Sequence, residues 1–215
     1  MYLKERANGG LHDYLFTQWV QPMLPVASVL DIGCGSGAWL HRLQQSGATG
    51  LLGLDADTQQ FAAAGIAHEA MNFDEYNGRR WGQFQLITCI ELIEHIENTG
   101  LLLNLIANNL APDGTCIITT PNIHSRHARL RYAAKGELGH FDTKSDPTHI
   151  YPVYTANLVK LLQRRGLQVQ QIDGYPKGAS KNYSAPIRLL SALLSPVVPA
   201  SHAGDNIIYL IRQGR

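Results

Sequence analysis

The sequence predicts an α/β protein built on a doubly wound, mostly parallel sheet. Three observations carry that expectation. Short runs of Val, Ile and Leu, the composition of strands covered on both faces, alternate with stretches of helical spacing. The first such run, "SVLDI", leads straight into a glycine-rich turn and then a helix. The last, "NIIYLIR", reads as a strand inserted antiparallel at the sheet edge.

Each element has its own signal. "LHDYLFTQWV" sets Leu11, Tyr14, Leu15 and Trp19 at helical spacing, so an amphipathic N-terminal helix is expected, ended by Pro22 and Pro25. "GAWLHRLQQSG" is a helix closed by Gly47. "GLLGLD" is the second strand, "ADTQQFAAAG" a second helix ended by Gly65, and "AHEAMNF" a weak third strand. "FQLITCI" is a buried strand and "TGLLLNLIANNLA" a helix, after which a "PDG" turn enters the strand "TCIITT". "YTANLVKLLQRRG", with Thr155 as N-cap candidate, is a helix that precedes the strand "LQVQQID". Residues 122–152 form a long, polar, basic stretch without a clear strand, and excursions of that length in compact domains are functional or mobile as a rule. Following the fifth strand, this insertion is expected to act as a lid over a substrate.

The 215 residues can bury a substantial core in one domain, with residues 1–25 as an N-terminal helix and 122–152 as an insertion. The formal charge is +1, so no global field draws the chain to nucleic acid or membrane. Cys34, Cys89 and Cys116 are far apart, odd in number and set in apolar runs, which reads as reduced core thiols. "MYLKERANGG" lacks the apolar core of a signal peptide. "IRLLSALLSPVVPA" is interrupted by prolines and too short to span a bilayer. A cytoplasmic protein without a transmembrane segment is expected.

"VLDIGCGSGAWL" is the most informative stretch. A strand carrying Asp31 runs into Gly33, Gly35 and Gly37 at the start of a helix, where backbone N–H groups can approach a ligand closely. Asp55 closes the next strand, where a carboxylate can take both hydroxyls of a ribose. Gly33, Gly35 and Ala38 also satisfy the dinucleotide fingerprint, so the glycines alone leave the cofactor open. Asp31 argues against a pyrophosphate, which would set negative charge beside negative charge, and suits a ligand with a cationic amino-acid end.

In that order, "VLDIGCGSG", "LLGLDAD", "FQLITCIELIEHIEN" and "LAPDGTCIITTPN" resemble the successive motifs of class I S-adenosylmethionine-dependent methyltransferases, over about Val29 to Ile172. The resemblance implies a Rossmann-like, seven-stranded sheet with S-adenosyl-L-methionine over the carboxyl ends of the first strands. It implies Gly33, Gly35 and Gly37 along the methionine and ribose, Asp31 near the methionine amino group and Asp55 on the ribose hydroxyls. Cys34, Ala56 and Cys89 are further cofactor-contact candidates. "MNFDE" falls where the family reads the adenine, with Asn72 and Phe73 as first candidates and Asp74 next. Asn72 stands where the family often has Asp, and Phe73 has an equal reading as a core aromatic.

"ELIEH" places Glu91, Glu94 and His95 after the fourth strand, on the substrate side of the cofactor in this fold. It matches the Glu-x-x-Glu-His of ubiquinone-pathway O-methyltransferases and of small-RNA 2′-O-methyltransferases. That resemblance implies a divalent cation held by the two Glu and the His, joined in the RNA group by a later His. His149 in "SDPTHIYP" is the first candidate for that role, ahead of His140, His124 and His127. Such a donor set accepts magnesium, manganese or zinc. Two other readings stand beside it: His95 as a metal-free base, and a plain helix start with solvated acids.

In the insertion, Arg126, Arg129, Arg131 and Lys135 suit phosphates or an anionic lipid surface. The competing expectation is a solvated helix whose Leu130 and Tyr132 pack inward. Tyr132 is the one Phe, Tyr or Trp among these basics, too few stacking residues for a nucleic-acid surface to be strongly indicated. Together these features predict an S-adenosylmethionine-dependent methyltransferase acting on a hydroxyl of a small-molecule or glycan acceptor. The alternatives are an RNA-terminal 2′-O-methyltransferase and a non-catalytic S-adenosylmethionine-binding regulator.

Overall fold

A computed structural model of the chain describes Leu3, Ala7, residues 9–176 and residues 199–214. Most of the apolar stretch Ile187–Ala200, like most of the first eight residues, lies outside these. The strands are β1 (Val29–Ile32), β2 (Leu51–Asp55), β3 (Ala67–Ala70), β4 (Phe84–Ile90), β5 (Leu110–Pro121), β6 (Leu167–Tyr175) and β7 (Asn206–Gln213). They form one seven-stranded sheet in the order β3-β2-β1-β4-β5-β7-β6. β7 runs antiparallel between β5 and β6, while β1 to β5 pair in parallel. The late strand therefore lies between two others and not at the edge, where the sequence reading put it.

Residue alternation sends side chains to both faces of this sheet. Leu30, Ile32, Ile87, Cys89, Cys116 and Ile118 join one buried cluster, and Val29, Leu86 and Ile117 join the other. Helices α3 (Thr99–Asn109) and α5 (Thr155–Gln163) cover the first face. Helices α1 (Leu11–Leu15) and α2 (Ala38–Gln45) cover the second. A strand whose alternate residues are both buried gains apolar burial on either side, which is why these runs are continuously hydrophobic.

Four elements differ from expectation. The N-terminal helix is α-helical only over Leu11–Leu15. A π-helical turn at Phe16–Val20 and a 3₁₀ turn at Gln21–Met23, which contains Pro22, complete it. The helix expected at "ADTQQFAAAG" is a single 3₁₀ turn, Thr58–Gln60. Asp57 caps that turn by accepting the Gln59 N–H, and the chain then extends so that Phe61 stacks on His68 at 4.1 Å and the Ala62 N–H reaches the Ser36 carbonyl. These tertiary contacts outweigh the helix propensity of the alanines. "PDG" lies within β5, where the register jumps from Leu110 opposite Phe84 to Thr115 opposite Leu86.

The insertion is the fourth. It holds a helix, α4 (Arg126–Lys135), capped by Ser125, whose hydroxyl accepts the Ala128 N–H, and ended by Gly136. No residue of α4 is buried, and Tyr132 is 57% exposed, so Tyr132 does not pack inward. Arg131 is paired with Asp142 and Glu137, and Arg129 donates to the His124 carbonyl, so two of the basic residues are used within the insertion. Among the described residues no helix is long and apolar enough to cross a membrane.

Candidate active site

The strand order reverses between β1 and β4, and at such a switch point the flanking loops diverge and leave a crevice beyond the carboxyl ends of the strands. A cleft of about 920 Å³ occupies that place. Asp31, Gly33, Cys34, Gly35 and Asp55 line it from β1, the glycine turn and β2; Glu91, Leu92, Glu94, His95, His140 and His149 contribute from the segment after β4 and from the insertion.

Tight backbone geometry shapes the glycine turn. Gly37 adopts φ 79°, and a Cβ there would come within 2.7 Å of Phe61 and Ala63, so only glycine lets the extended segment cross the start of α2. The turn and Asp55 hold each other. The Gly35 N–H donates to Asp55 Oδ2 at 2.7 Å, and the Asp57 N–H donates to Oδ1 at 2.9 Å. Each carboxylate oxygen keeps further accepting capacity for a diol.

Asp31 is buried, 3% exposed, and accepts the Thr88 hydroxyl at 2.6 Å; that hydroxyl in turn accepts the Trp39 indole N–H at 3.2 Å. Burial pushes the Asp31 carboxyl up to about 7, against the lowering effect of the Thr88 bond, with the Asp55 charge adding to the rise. A desolvated carboxylate of this kind gains most from a cationic partner, so Asp31, the glycine turn and Asp55 fit the ammonium and ribose of S-adenosylmethionine.

The other half of the site joins two distant segments. The turn Ile93–His95 follows β4. The Ile150 and Tyr151 N–H groups both donate to the Glu94 carbonyl, at 3.0 and 2.9 Å, and so bring the insertion's "DPTHIY" turn against it. One ligand atom from each of Glu94, His95 and His149 lies within 4.8 Å of the others, and the two imidazole rings sit 4.7 Å apart edge to face.

Hydrogen bonding decides the tautomers here. His149 Nδ1 lies 2.9 Å from the His140 carbonyl, and His95 Nδ1 lies 3.1 Å from the Thr148 carbonyl. A carbonyl only accepts, so each Nδ1 carries the proton and each Nε2 keeps its lone pair. Burial, with the His149 ring next, lowers the His95 pKa and favours that neutral form. Glu94 is fully buried, and neither of its carboxylate oxygens is in hydrogen-bonding geometry with a protein donor, the neighbouring Thr120 hydroxyl included. Its pKa is raised well above the usual carboxylate range by burial and then by the Glu91 charge. An unpartnered buried carboxylate beside two imidazole lone pairs is a donor set that a divalent cation fits.

Glu91 departs from the expected ligand set. Its Oε1 accepts the Thr119 hydroxyl at 2.8 Å and its Oε2 accepts the Asn206 amide at 2.5 Å. It is absent from the group of ligand atoms around Glu94, and its backbone holds a left-handed φ of 50° at the end of β4. Burial raises its pKa to about 7, against the two hydrogen bonds. Glu91 thus ties β4 to β5 and β7 beside the site.

Several cofactor candidates also lie off the lining of the cleft: Gly37, Ala56, Asn72, Phe73 and Cys89. Phe73 and Cys89 are core side chains, and Asn72 is exposed, where its carbonyl accepts the Asp74 N–H. Asp74 accepts the Asn98 N–H at 2.6 Å and so braces the loop before α3. His140 lines the cleft, whereas His124 accepts the Thr155 N–H and faces His202, away from the Glu94 group. His127 is likewise not part of that group. Sequence reasoning missed Trp39 and His12, which line the cleft 5.2 Å apart, and the roles of Thr88 and Asn206. Nothing local in the sequence reports which face of a helix or strand meets a cleft, so these residues carried no signal.

A family profile described as a methyltransferase domain matches residues 5–172. The chain is 25% identical over 170 residues to a ubiquinone biosynthesis O-methyltransferase of Thiobacillus denitrificans, covering 73% of this chain and 72% of that one. It is 30% identical over 105 residues to the protein of the same name from Psychrobacter cryohalolentis, which covers 44% of this chain and only 40% of that protein. Among solved structures, a SAM dependent methyltransferase from Archaeoglobus fulgidus superposes with a TM-score of 0.67 at 19% identity, over 94% of this chain and 92% of the other. Magnesium protoporphyrin IX methyltransferase from Synechocystis PCC 6803 with bound SAH superposes with a TM-score of 0.56 at 16% identity, over 95% and 81%. At these identities the structural likeness is one of fold.

Proposed function

The chain belongs to the class I S-adenosylmethionine-dependent methyltransferases, and on that premise we propose that it methylates a hydroxyl oxygen of a small-molecule or glycan acceptor, assisted by a divalent cation held by Glu94, His95 and His149. The observation that carries this reading is the pair of Nδ1-protonated imidazoles set beside a buried carboxylate with no protein donor. The curated relatives are named as O-methyltransferases, which favours oxygen as the acceptor atom. Among the described residues the cleft is lined by acids and imidazoles and by no Lys or Arg, which favours an uncharged acceptor over a phosphate-bearing RNA end.

S-adenosylmethionine, when bound, supplies an electrophilic methyl on its sulfonium. Asp55 and the glycine turn hold the ribose end, and Asp31 the ammonium, so binding energy goes into aligning the methyl with the acceptor. Where no cation is bound, His95 Nε2 takes the hydroxyl proton as the oxygen becomes the nucleophile; with a cation bound that lone pair would be one of its donors, and the proton would leave to solvent. A divalent cation, when bound, lowers the pKa of that hydroxyl.

The test is methyl transfer to a panel of phenolic, catecholic and glycan hydroxyls, read as S-adenosylhomocysteine formed together with a methyl ether. Activity should be lost in chelator and recovered with magnesium, manganese or zinc. Full activity in excess chelator would remove the cation and leave His95 as a metal-free base; methylation at nitrogen or carbon only would overturn the hydroxyl assignment.

Asp31 gives cofactor binding a pH dependence of defined sign. Its free-state pKa of about 7 must fall when it meets an ammonium, so the bound form holds fewer protons. Affinity for S-adenosylhomocysteine is expected to rise by up to about tenfold per pH unit from acid pH to about 7, then level off. Isothermal titration calorimetry across that range checks it, and Asp31→Asn should flatten the curve at the lower affinity. The apo fold has the opposite dependence at this group. Because the folded pKa lies above the ordinary aspartate value of 3.8, the stability Asp31 contributes is present below that value and is lost as pH rises through about 7.

A further inference from the structure

We propose that Thr148, oriented by Asp146, is a positioning residue that locks His95 in the Nδ1-protonated tautomer and aims its Nε2 lone pair into the cleft; this rests on the role of His95 given above. Three contacts define the device. Thr148 Oγ1 lies 2.6 Å from Asp146 Oδ1 and 2.8 Å from His95 Nδ1, and the Thr148 N–H also donates to Asp146 Oδ1 at 2.9 Å.

The directions of these bonds follow from chemistry. An ionised Asp146 only accepts, and its pKa is held low, first by the Thr148 hydroxyl bond and next by the Thr148 backbone bond. The single hydroxyl proton of Thr148 is therefore committed to Asp146, which leaves its oxygen as an acceptor toward His95. Nδ1 must donate. The Thr148 carbonyl, at 3.1 Å, imposes the same direction from the backbone, so two acceptors of one residue converge on one ring nitrogen. Without Asp146 the hydroxyl could turn and donate to Nδ1 in competition with the carbonyl, so that part of the population would carry the ring proton on Nε2, blocked as ligand or base.

The location supports a dedicated role. Thr148, Asp146 and His149 all line the cleft. The turn that carries them is clamped to the Glu94 carbonyl by Ile150 and Tyr151, so the carboxylate, the two imidazoles and the orienting hydroxyl form one unit built from segments 53 residues apart. Hydrogen bonds that orient a ligand imidazole change metal affinity about 10- to 100-fold in general.

Two measurements on the whole protein test this. Nitrogen-15 NMR of the imidazoles should show wild-type His95 protonated at Nδ1 with a pyridine-like Nε2. Titration with Zn²⁺ or Mn²⁺ should show affinity reduced about 10- to 100-fold in Thr148→Val. In that variant the His95 resonances should also shift toward a mixture of tautomers. Thr148→Ser should restore both properties, and S-adenosylhomocysteine affinity should stay at the wild-type value in both variants, which excludes general misfolding. An Nε2-protonated His95 in the wild type would overturn the proposal. So would a Thr148→Val protein with wild-type tautomer, or a Thr148→Ser protein as impaired as Thr148→Val. If the wild type binds neither ion, the cation part of the proposed function fails, and the tautomer comparison alone decides the role of Thr148.

Discussion

His95→Ala is expected to reduce turnover about 100- to 10,000-fold, the range over which a positioned acid–base group acts. The ring offers one Nε2 lone pair to the cleft, and no other described residue supplies an imidazole from the segment after β4. Removing it leaves the cation without one of its donors or, where no cation is bound, the acceptor proton without a base. The loss should appear in kcat, because Asp31, Asp55 and the glycine turn are untouched and S-adenosylhomocysteine affinity should hold within about twofold. Single-turnover methyl transfer with saturating cofactor separates the two. Glu91→Gln is the informative contrast. Its Oε1 and Oε2 already accept from Thr119 and Asn206, so an amide at this position must turn one N–H toward a donor. That change should lower thermal stability, while a cation bound by Glu94, His95 and His149 keeps its donors. Retained turnover in His95→Ala would remove His95 from the chemistry.

Asp55→Ala should weaken S-adenosylhomocysteine binding about 30- to 1,000-fold, the equivalent of about 2–4 kcal/mol for losing charge-assisted hydrogen bonds to a ribose diol. The structure adds a second reason. Asp55 also receives the Gly35 and Asp57 N–H groups, so the substitution releases the glycine turn that approaches the ligand. Asp55→Asn should be milder for the ribose yet still disturb one of these two bonds, since its amide nitrogen cannot accept them. Calorimetry at a pH above the Asp31 value of about 7 isolates the effect. Wild-type affinity in Asp55→Ala would remove the ribose assignment.

Much of the architecture was legible in the order of residues. Val29–Ile32, Phe84–Ile90 and the end of β5 are apolar on alternate positions in both directions, which only a sheet covered on two faces rewards. Asp31, Gly33, Gly35 and Asp55 are local in sequence and meet in the cleft, because parallel neighbours bring the ends of β1 and β2 together. The second crossover was misread as a helix. Its alanines carry helix propensity, but Phe61 gains more from His68 and from the glycine turn than one further helical turn supplies.

The sequence by itself determined the composition of this site: a glycine turn between two carboxylates, and a Glu-x-x-Glu-His run after a buried strand. Tertiary structure decided which of those groups act together. The spacing of "ELIEH" makes Glu91 and Glu94 look equivalent, yet β5 and β7 bring Thr119 and Asn206 to Glu91 and leave Glu94 buried without a donor. His149 reaches His95 across the insertion because the Glu94 carbonyl takes the Ile150 and Tyr151 N–H groups. Whether each imidazole offers a lone pair depends on Thr148 and His140 carbonyls far along the chain. Spacing along a strand or turn limits which side chains can share a face; the hydrogen-bond partners that fix charge, tautomer and direction come from other elements, and they exist only once the sheet has closed.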